Sequence, residues 1–166
     1  MVLQQKENVA FWGKYVPNSS VTVKGTWGEA SSCTSDNDGN WKLLIPTTEA
    51  GGPFEIDIIT KDTTLTLKDV MIGEVWVCSG QSNMEWRLRS SRDADIEIPS
   101  ARYPAIRFIR IEPEGLPEPQ DDFPSENGAG IWSQCSPETI GDCSGVAYFF
   151  GQRLHRRRRR ELCRVP

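Results

Sequence analysis

One histidine, His155, is all that this 166-residue chain contains. A serine nucleophile usually takes its base from a histidine, so the sequence offers a single candidate for that role. Cysteine is sparse and unpaired in pattern. Cys33, Cys78, Cys135, Cys143 and Cys163 are odd in number and form no C-x-x-C pair. They spell neither a zinc site nor a disulfide framework, and no metal is expected. No apolar run approaches the length of a transmembrane helix, so no membrane partner is expected. A phosphate loop, a nucleotide fingerprint and an internal repeat are all missing, and no cofactor is implied.

Charge is present but unevenly placed. The net charge is −4, yet residues 156–166 carry +5, leaving −9 on residues 1–155. An acidic body argues against nucleic acid as a partner of the main domain. With 37% hydrophobic and 25% charged residues, the composition is that of an ordinary soluble chain. Its length suits one domain, or one small domain and part of another.

The first seventy residues read as short strands separated by turns. Residues 9–13, 21–24, 41–45, 54–60 and 64–70 are β-rich or alternating. Leu65 and Leu67 alternate with Thr64, Thr66 and Lys68, as on a half-solvated antiparallel strand. Turn signals lie between them, among them Asp36-Asn37-Asp38-Gly39, which reads as a hairpin turn rather than a calcium loop. Trp12, Trp27 and Trp41 fit core packing or a sugar-stacking face. The expected unit is a β-sandwich over residues 1–70, with a second domain over 71–166.

The pattern changes after Val70. Val75-Trp76-Val77-Cys78 is apolar at successive positions, which predicts a strand over residues 75–79 covered on both faces, with Cys78 a small core residue. Residues 84–92 read as a short helix and residues 105–111 as a second strand. Residues 112–130, with four prolines, read as a surface loop. Ser136-Pro137 has the form of a helix N-cap followed by proline. From Ser144 onward, Val146, Phe149, Phe150 and Leu154 recur at helical spacing.

Directly after the apolar run stands Gly80-Gln81-Ser82-Asn83-Met84. A serine on a tight turn leaving a strand is how esterases present a nucleophile; a plain surface turn has the same composition. Met84 occupies the second glycine position of a G-x-S-x-G elbow, so that motif is not met. The block resembles the G-Q-S-N-M motif of sialate O-acetylesterases and related carbohydrate esterases of the SGNH-hydrolase superfamily. Other blocks resemble the family in the same order: Val9-Ala10-Phe11-Trp12-Gly13, Asp38-Gly39-Asn40-Trp41, Gly73-Glu74-Val75-Trp76, and Tyr148-Phe149-Phe150-Gly151.

The resemblance implies a jelly-roll-like β-domain followed by an incomplete SGNH α/β domain. It also implies hydrolysis of an O-acetyl ester on sialic acid or a related glycan, through an acyl-enzyme. Ser82 would be the nucleophile, with Gly80, Gln81 and Asn83 supporting the turn and oxyanion. The family's D-x-x-H block, which supplies the catalytic Asp and His, has no counterpart here, and His155 matches a helix position instead. The chain is therefore expected to be an inactive fragment. Acetylxylan esterases share the serine motif, and a non-catalytic carbohydrate-binding or structural β-module is the alternative of another class. The family is usually secreted, periplasmic or lysosomal, but no signal peptide precedes Val2, and the compartment and oligomeric state stay open. Met1 matches an internal methionine of the family, which places the expected true start upstream.

The Arg156-Arg157-Arg158-Arg159-Arg160 run has three readings. Cations suit a helix C-terminus, five arginines resemble a targeting or nucleic-acid patch, and a broken reading frame near position 156 would give the same abrupt change.

Overall fold

A computed structural model describes residues 1–111, 118 and 130–162, with side chains to Arg157. The chain is mixed sheet and helix and divides into two compact units, Met1–Trp76 and Val77–Pro166. The division falls a few residues past the boundary after Val70 that the sequence suggests.

The first unit holds seven strands: β1 (Val2–Gln4), β2 (Asn8–Lys14), β3 (Ser20–Gly25), β4 (Ala30–Thr34), β5 (Asn40–Pro46), β6 (Gly51–Ile59) and β7 (Thr64–Gly73). Five of them form one sheet in the order β1-β7-β6-β3-β4, and β2 pairs with β5 in a separate antiparallel ribbon. Alternation builds the core. Trp41, Leu43 and Ile45 of β5 are buried, while Asn40, Lys42, Leu44 and Pro46 between them are exposed. Val21 and Val23 of β3, Ile56 of β6, and Val70 and Ile72 of β7 complete one cluster with β5. A register shift between Phe54 and Ile56 brings Val70 and Ile72 inward at the end of a strand whose first half is largely solvated.

All five strands expected in this region are present. β4 carries no apolar signal, because Ala30-Ser31-Ser32-Cys33-Thr34 is small and polar at an edge. The turn at residues 36–39 joins β4 to β5 across two different sheets, so it is not a hairpin. Asp36 organises it, its Oδ1 accepting from the amides of Asp38 at 2.9 Å and Asn40 at 2.8 Å. These bonds, that from Asn40 above all, hold its carboxyl below the usual aspartate range. Gly39 closes the turn at φ +81°, where a Cβ would also collide with the Tyr15 carbonyl oxygen.

The second unit contains helices α1 (Ser82–Glu85), α2 (Ala94–Ser100) and α3 (Gly145–Leu162), strands β8 (Tyr103–Phe108) and β9 (Ser133–Cys135), and single 3-10 turns at Leu88–Ser90 and Ile140–Asp142. β8 and β9 pair only with each other. The core gathers Leu88, Ala101, Cys135, Ile140, Cys143 and Tyr148.

Three expectations fail here. Residues 84–92 do not form one helix: α1 ends at Glu85, and Trp86 and Arg87 are extended before the turn at Leu88–Ser90. Residues 75–79 are not a strand: the segment joins no sheet, Val77 is 93% exposed, and Cys78 is exposed rather than a core residue. An apolar run of that kind needs strands on both sides, and among the described residues none flanks it. Ser136 does not begin a helix either. It forms a turn in which Thr139 and Ile140 donate backbone N–H groups to its carbonyl. The cap of α3 is Ser144, whose Oγ accepts from the Ala147 amide at 3.3 Å. Residues 112–117 and 119–129 of the expected loop, and Cys163, lie outside the described residues.

Candidate active site

Ser82 is the first residue of α1, and Gln81 is its N-cap, with φ −116° and ψ −143°. The Gln81 carbonyl accepts from Met84 N at 2.8 Å and Glu85 N at 3.2 Å, which closes the turn. At the first positions of such a turn, backbone N–H groups have no carbonyl behind them within the helix. The N–H groups of Ser82 and Asn83 are therefore available to an acceptor that approaches the N-terminal end of the turn. Gly80, Gln81, Ser82 and Asn83 are all exposed, and Met84 is the half-buried anchor. Gly80 leaves room beside it, since a Cβ there would stand 3.4 Å from the Met84 Cβ.

What fixes this turn comes from residues about sixty positions away. Ser144 Oγ lies 3.3 Å from Met84 Sδ. Trp86 accepts from Gly145 N at 2.8 Å, and Leu88 N donates to the Cys143 carbonyl at 2.9 Å. Asp142 then pairs with Arg87 at 3.0 Å and with Arg89 at 2.5 Å. Gly145 permits the approach; a Cβ on it would stand 2.7 Å from Ser91 Oγ. The serine turn thus rests on the start of α3. No local pattern in the sequence marks these tethers, because each joins chemically ordinary residues distant in the chain.

The chemistry available at Ser82 is that of an exposed hydroxyl without an activating base among the described residues. His155 lies on α3, and its ring meets Tyr103 edge-on at 5.9 Å between centroids. Beside it is a polar cluster. Gln152, buried, donates to Tyr148 Oη at 2.8 Å and to Glu97 Oε2 at 3.3 Å, and Tyr148 Oη donates to Glu97 Oε2 at 3.2 Å. Burial, with the Glu97 charge and hydrogen bond behind it, pushes the Tyr148 phenol well up from its ordinary value. Burial also raises the thiols of Cys135 to about 11 and Cys143 to about 12. Neither forms a thiolate near neutral pH, so neither rivals Ser82 as a nucleophile. Among the described residues no group of three or more His, Cys, Asp or Glu side chains is placed to hold a metal ion.

Comparison with known proteins gives a consistent picture. No family model matches the chain. The chain is 29% identical over 172 residues to the sialate O-acetylesterase of Pongo abelii, and 28% identical over 171 residues to that of Homo sapiens. Each match covers 93% of this chain and 32% of the relative, so the chain spans about a third of the length of these curated relatives. A crystal structure of a carbohydrate acetylesterase from Xanthomonas citri superposes with a TM-score of 0.85 at 29% identity, over 92% of this chain and 34% of that one. The resemblance to sialate O-acetylesterase-like esterases therefore extends through both units.

Proposed function

We propose that this chain carries the nucleophile-bearing part of a serine esterase that removes O-acetyl groups from carbohydrate, sialic acid being the sugar the similar proteins favour. The observation that carries the reading is the G-Q-S-N-M block folded as an exposed helical turn, with Ser82 at its first position. In this reading residues 1–70 are the jelly-roll-like β-sandwich and 71–166 the opening of an SGNH-type domain. Ser82 Oγ attacks the acetyl carbonyl carbon, the sugar hydroxyl leaves, and water releases acetate from the acyl-enzyme. In this reading the Ser82 amide would donate to the oxyanion while Asn83 supports the turn, and one such donor is worth about 3 kcal/mol. Gly80 and Gln81 shape the turn.

The proton is the difficulty. Attack by serine needs a base, and the one histidine of the chain packs on Tyr103. The chain by itself is therefore expected to hydrolyse acetyl esters scarcely faster than water does. Losing triad members typically costs a factor of about 10⁴ to 10⁶. The test measures p-nitrophenyl acetate and O-acetylated sialic acid turnover by the chain and by Ser82→Ala. Near-background rates for both are expected. Robust turnover that Ser82→Ala abolishes would show that a base has been overlooked. Robust turnover that survives Ser82→Ala would remove Ser82 from the reaction.

A further inference from the structure

We infer that the outer face of the β2–β5 ribbon is a binding platform for a sugar that bears a carboxylate. The two faces of this ribbon are sharply different. Inward go Val9, Phe11 and Gly13 of β2, opposite Ile45, Leu43 and Trp41 of β5. Outward go Ala10, Trp12 and Lys14, opposite Leu44, Lys42 and Asn40. Gly13 decides which tryptophan is inside. A Cβ there would stand 3.1 Å from the Trp41 ring, so the bare backbone lets that indole lie against the strand. Trp41 is then 8% exposed and Trp12, one position away on the other side, 60% exposed.

Core packing accounts for Trp41, and it also accounts for Trp27, whose Nε1 donates to the Pro46 carbonyl at 2.9 Å and whose ring meets Phe54 edge-on. It does not account for Trp12. A large aromatic left open on an antiparallel ribbon is available to a flat, partly apolar ligand. The C–H face of a pyranose ring is such a ligand.

Charge narrows the class. Lys42 lies directly across from Trp12, and Lys14 follows it along the same face. Side chains directly opposite on adjacent strands stand about 5 Å apart at Cβ. Both ammonium groups can therefore reach the rim of a ring stacked on Trp12. Asn40 contributes little, since its side-chain amide donates to Asp36 Oδ2 at 3.3 Å. Two cations beside one indole favour an anion over a neutral sugar by local charge complementarity. Ala10 and Leu44 supply the apolar continuation of the platform. This face lies wholly in the first unit and does not depend on Ser82.

The experiment is titration of the full chain with the methyl α-glycoside of N-acetylneuraminic acid, followed by the backbone amide shifts of β2 and β5 and by tryptophan fluorescence. Methyl β-galactoside is the neutral arm. Expected are shifts confined to the β2–β5 ribbon, affinity weakened about tenfold by Trp12→Ala, or about 1.4 kcal/mol, and several-fold by Lys14→Met with Lys42→Met. Raising salt from 0.1 to 0.5 M should weaken binding, because the Debye length shortens. Ser82→Ala should bind as the parent does, so loss of the esterase reading leaves this one standing. Equal binding of the neutral glycoside, or shifts that Trp12→Ala leaves unchanged, would overturn the proposal. So would a Trp12→Ala variant that changes sedimentation instead, since the face would then be a contact between copies of this chain. Intact circular dichroism of each variant guards against loss of fold.

Discussion

The two units differ in where their apolar side chains go. In the first, Val21, Val23, Leu43, Ile45, Ile56, Val70 and Ile72 are buried together, and they come from both of its sheets. In the second, the core is smaller and softer, with Leu88 and Ile140 accompanied by Ala101, Tyr148 and two thiols. Val77, Trp86, Ile96, Val146, Phe149 and Phe150 remain exposed there. Hydrophobic stabilisation follows apolar area removed from water, at about 25 cal/mol per Å². Each large side chain left wet forgoes that term while the backbone beneath it still bears the entropy of ordering. Among the described residues, similar lengths of chain thus give a first unit with more fully buried aliphatic side chains than the second.

The sharpest way to break this contrast is to make the same truncation in both. Ile56→Ala and Leu88→Ala each remove a fully buried aliphatic side chain, and each should cost about 2–5 kcal/mol. We expect Ile56→Ala to lower the melting transition of the first unit and leave it cooperative. Leu88→Ala should abolish any cooperative transition of the second, since among the described residues Leu88 and Ile140 are its only fully buried large aliphatic side chains. Calorimetry with near-ultraviolet circular dichroism resolves the two. Equal shifts in both units would mean that their cores are equally closed.

Alkali should separate them next. Cys135, Cys143 and Tyr148 have folded-state values raised above their ordinary ones, the thiols to about 11 and about 12. A raised value favours the protonated group in the folded state, so its contribution is complete below the ordinary value. The unfolded chain ionises first, from about pH 9 for thiols, and stability falls from there until the folded groups ionise too. The second unit should therefore melt earlier as pH rises from 9 towards 12. In the first unit the shifted groups, Asp36 and Glu49, are displaced downward. Their contribution is present above the ordinary carboxylate range and fades only as pH falls. Thermal melts at fixed salt between pH 8 and 11 test this, and parallel decline of both transitions would contradict it.

The smallest effect concerns the serine turn. Gly145→Ala should push Ser91 Oγ away and loosen the Gly145–Trp86 and Ser91–Arg87 hydrogen bonds, at about 1–3 kcal/mol. Amide exchange of residues 84–91 should quicken while that of β3 and β5 does not change. Unaltered exchange at 84–91 would show that the turn stands without α3.

The sequence is most informative where burial is decided by alternation within one strand. Trp41-Lys42-Leu43-Leu44-Ile45 reads directly as in-out-in-out-in, and so it folds. It is least informative where burial depends on neighbours. The run at residues 75–79 has the composition of an interior strand, but composition cannot supply the flanking strands, and the segment stays in solvent. α2 escapes sequence reading for the opposite reason: Pro99 inside Ala94–Ser100 reads as a breaker, and the helix is only seven residues long. β9 has three residues and pairs through a shifted register, too short for periodicity to reveal. At the candidate site, Gly80, Gln81, Ser82 and Asn83 are legible as a motif, while Met84–Ser144 and Asp142 with Arg87 and Arg89 are not, since pairing across the fold leaves no local trace.

β1 runs parallel to the end of β7, with Val2, Leu3 and Gln4 in register with Met71, Ile72 and Gly73. Gln5 Nε2 donates to Glu74 Oε1 at 2.6 Å, and the Met1 ammonium reaches the Asp69 carbonyl at 3.2 Å. The polypeptide enters and leaves the first unit through the same doorway. A module with adjoining ends can be spliced into a surface loop of a host without prying that loop apart, and its own ends can be joined and reopened elsewhere. The first and last strands of this unit lie side by side at one edge of its five-stranded sheet.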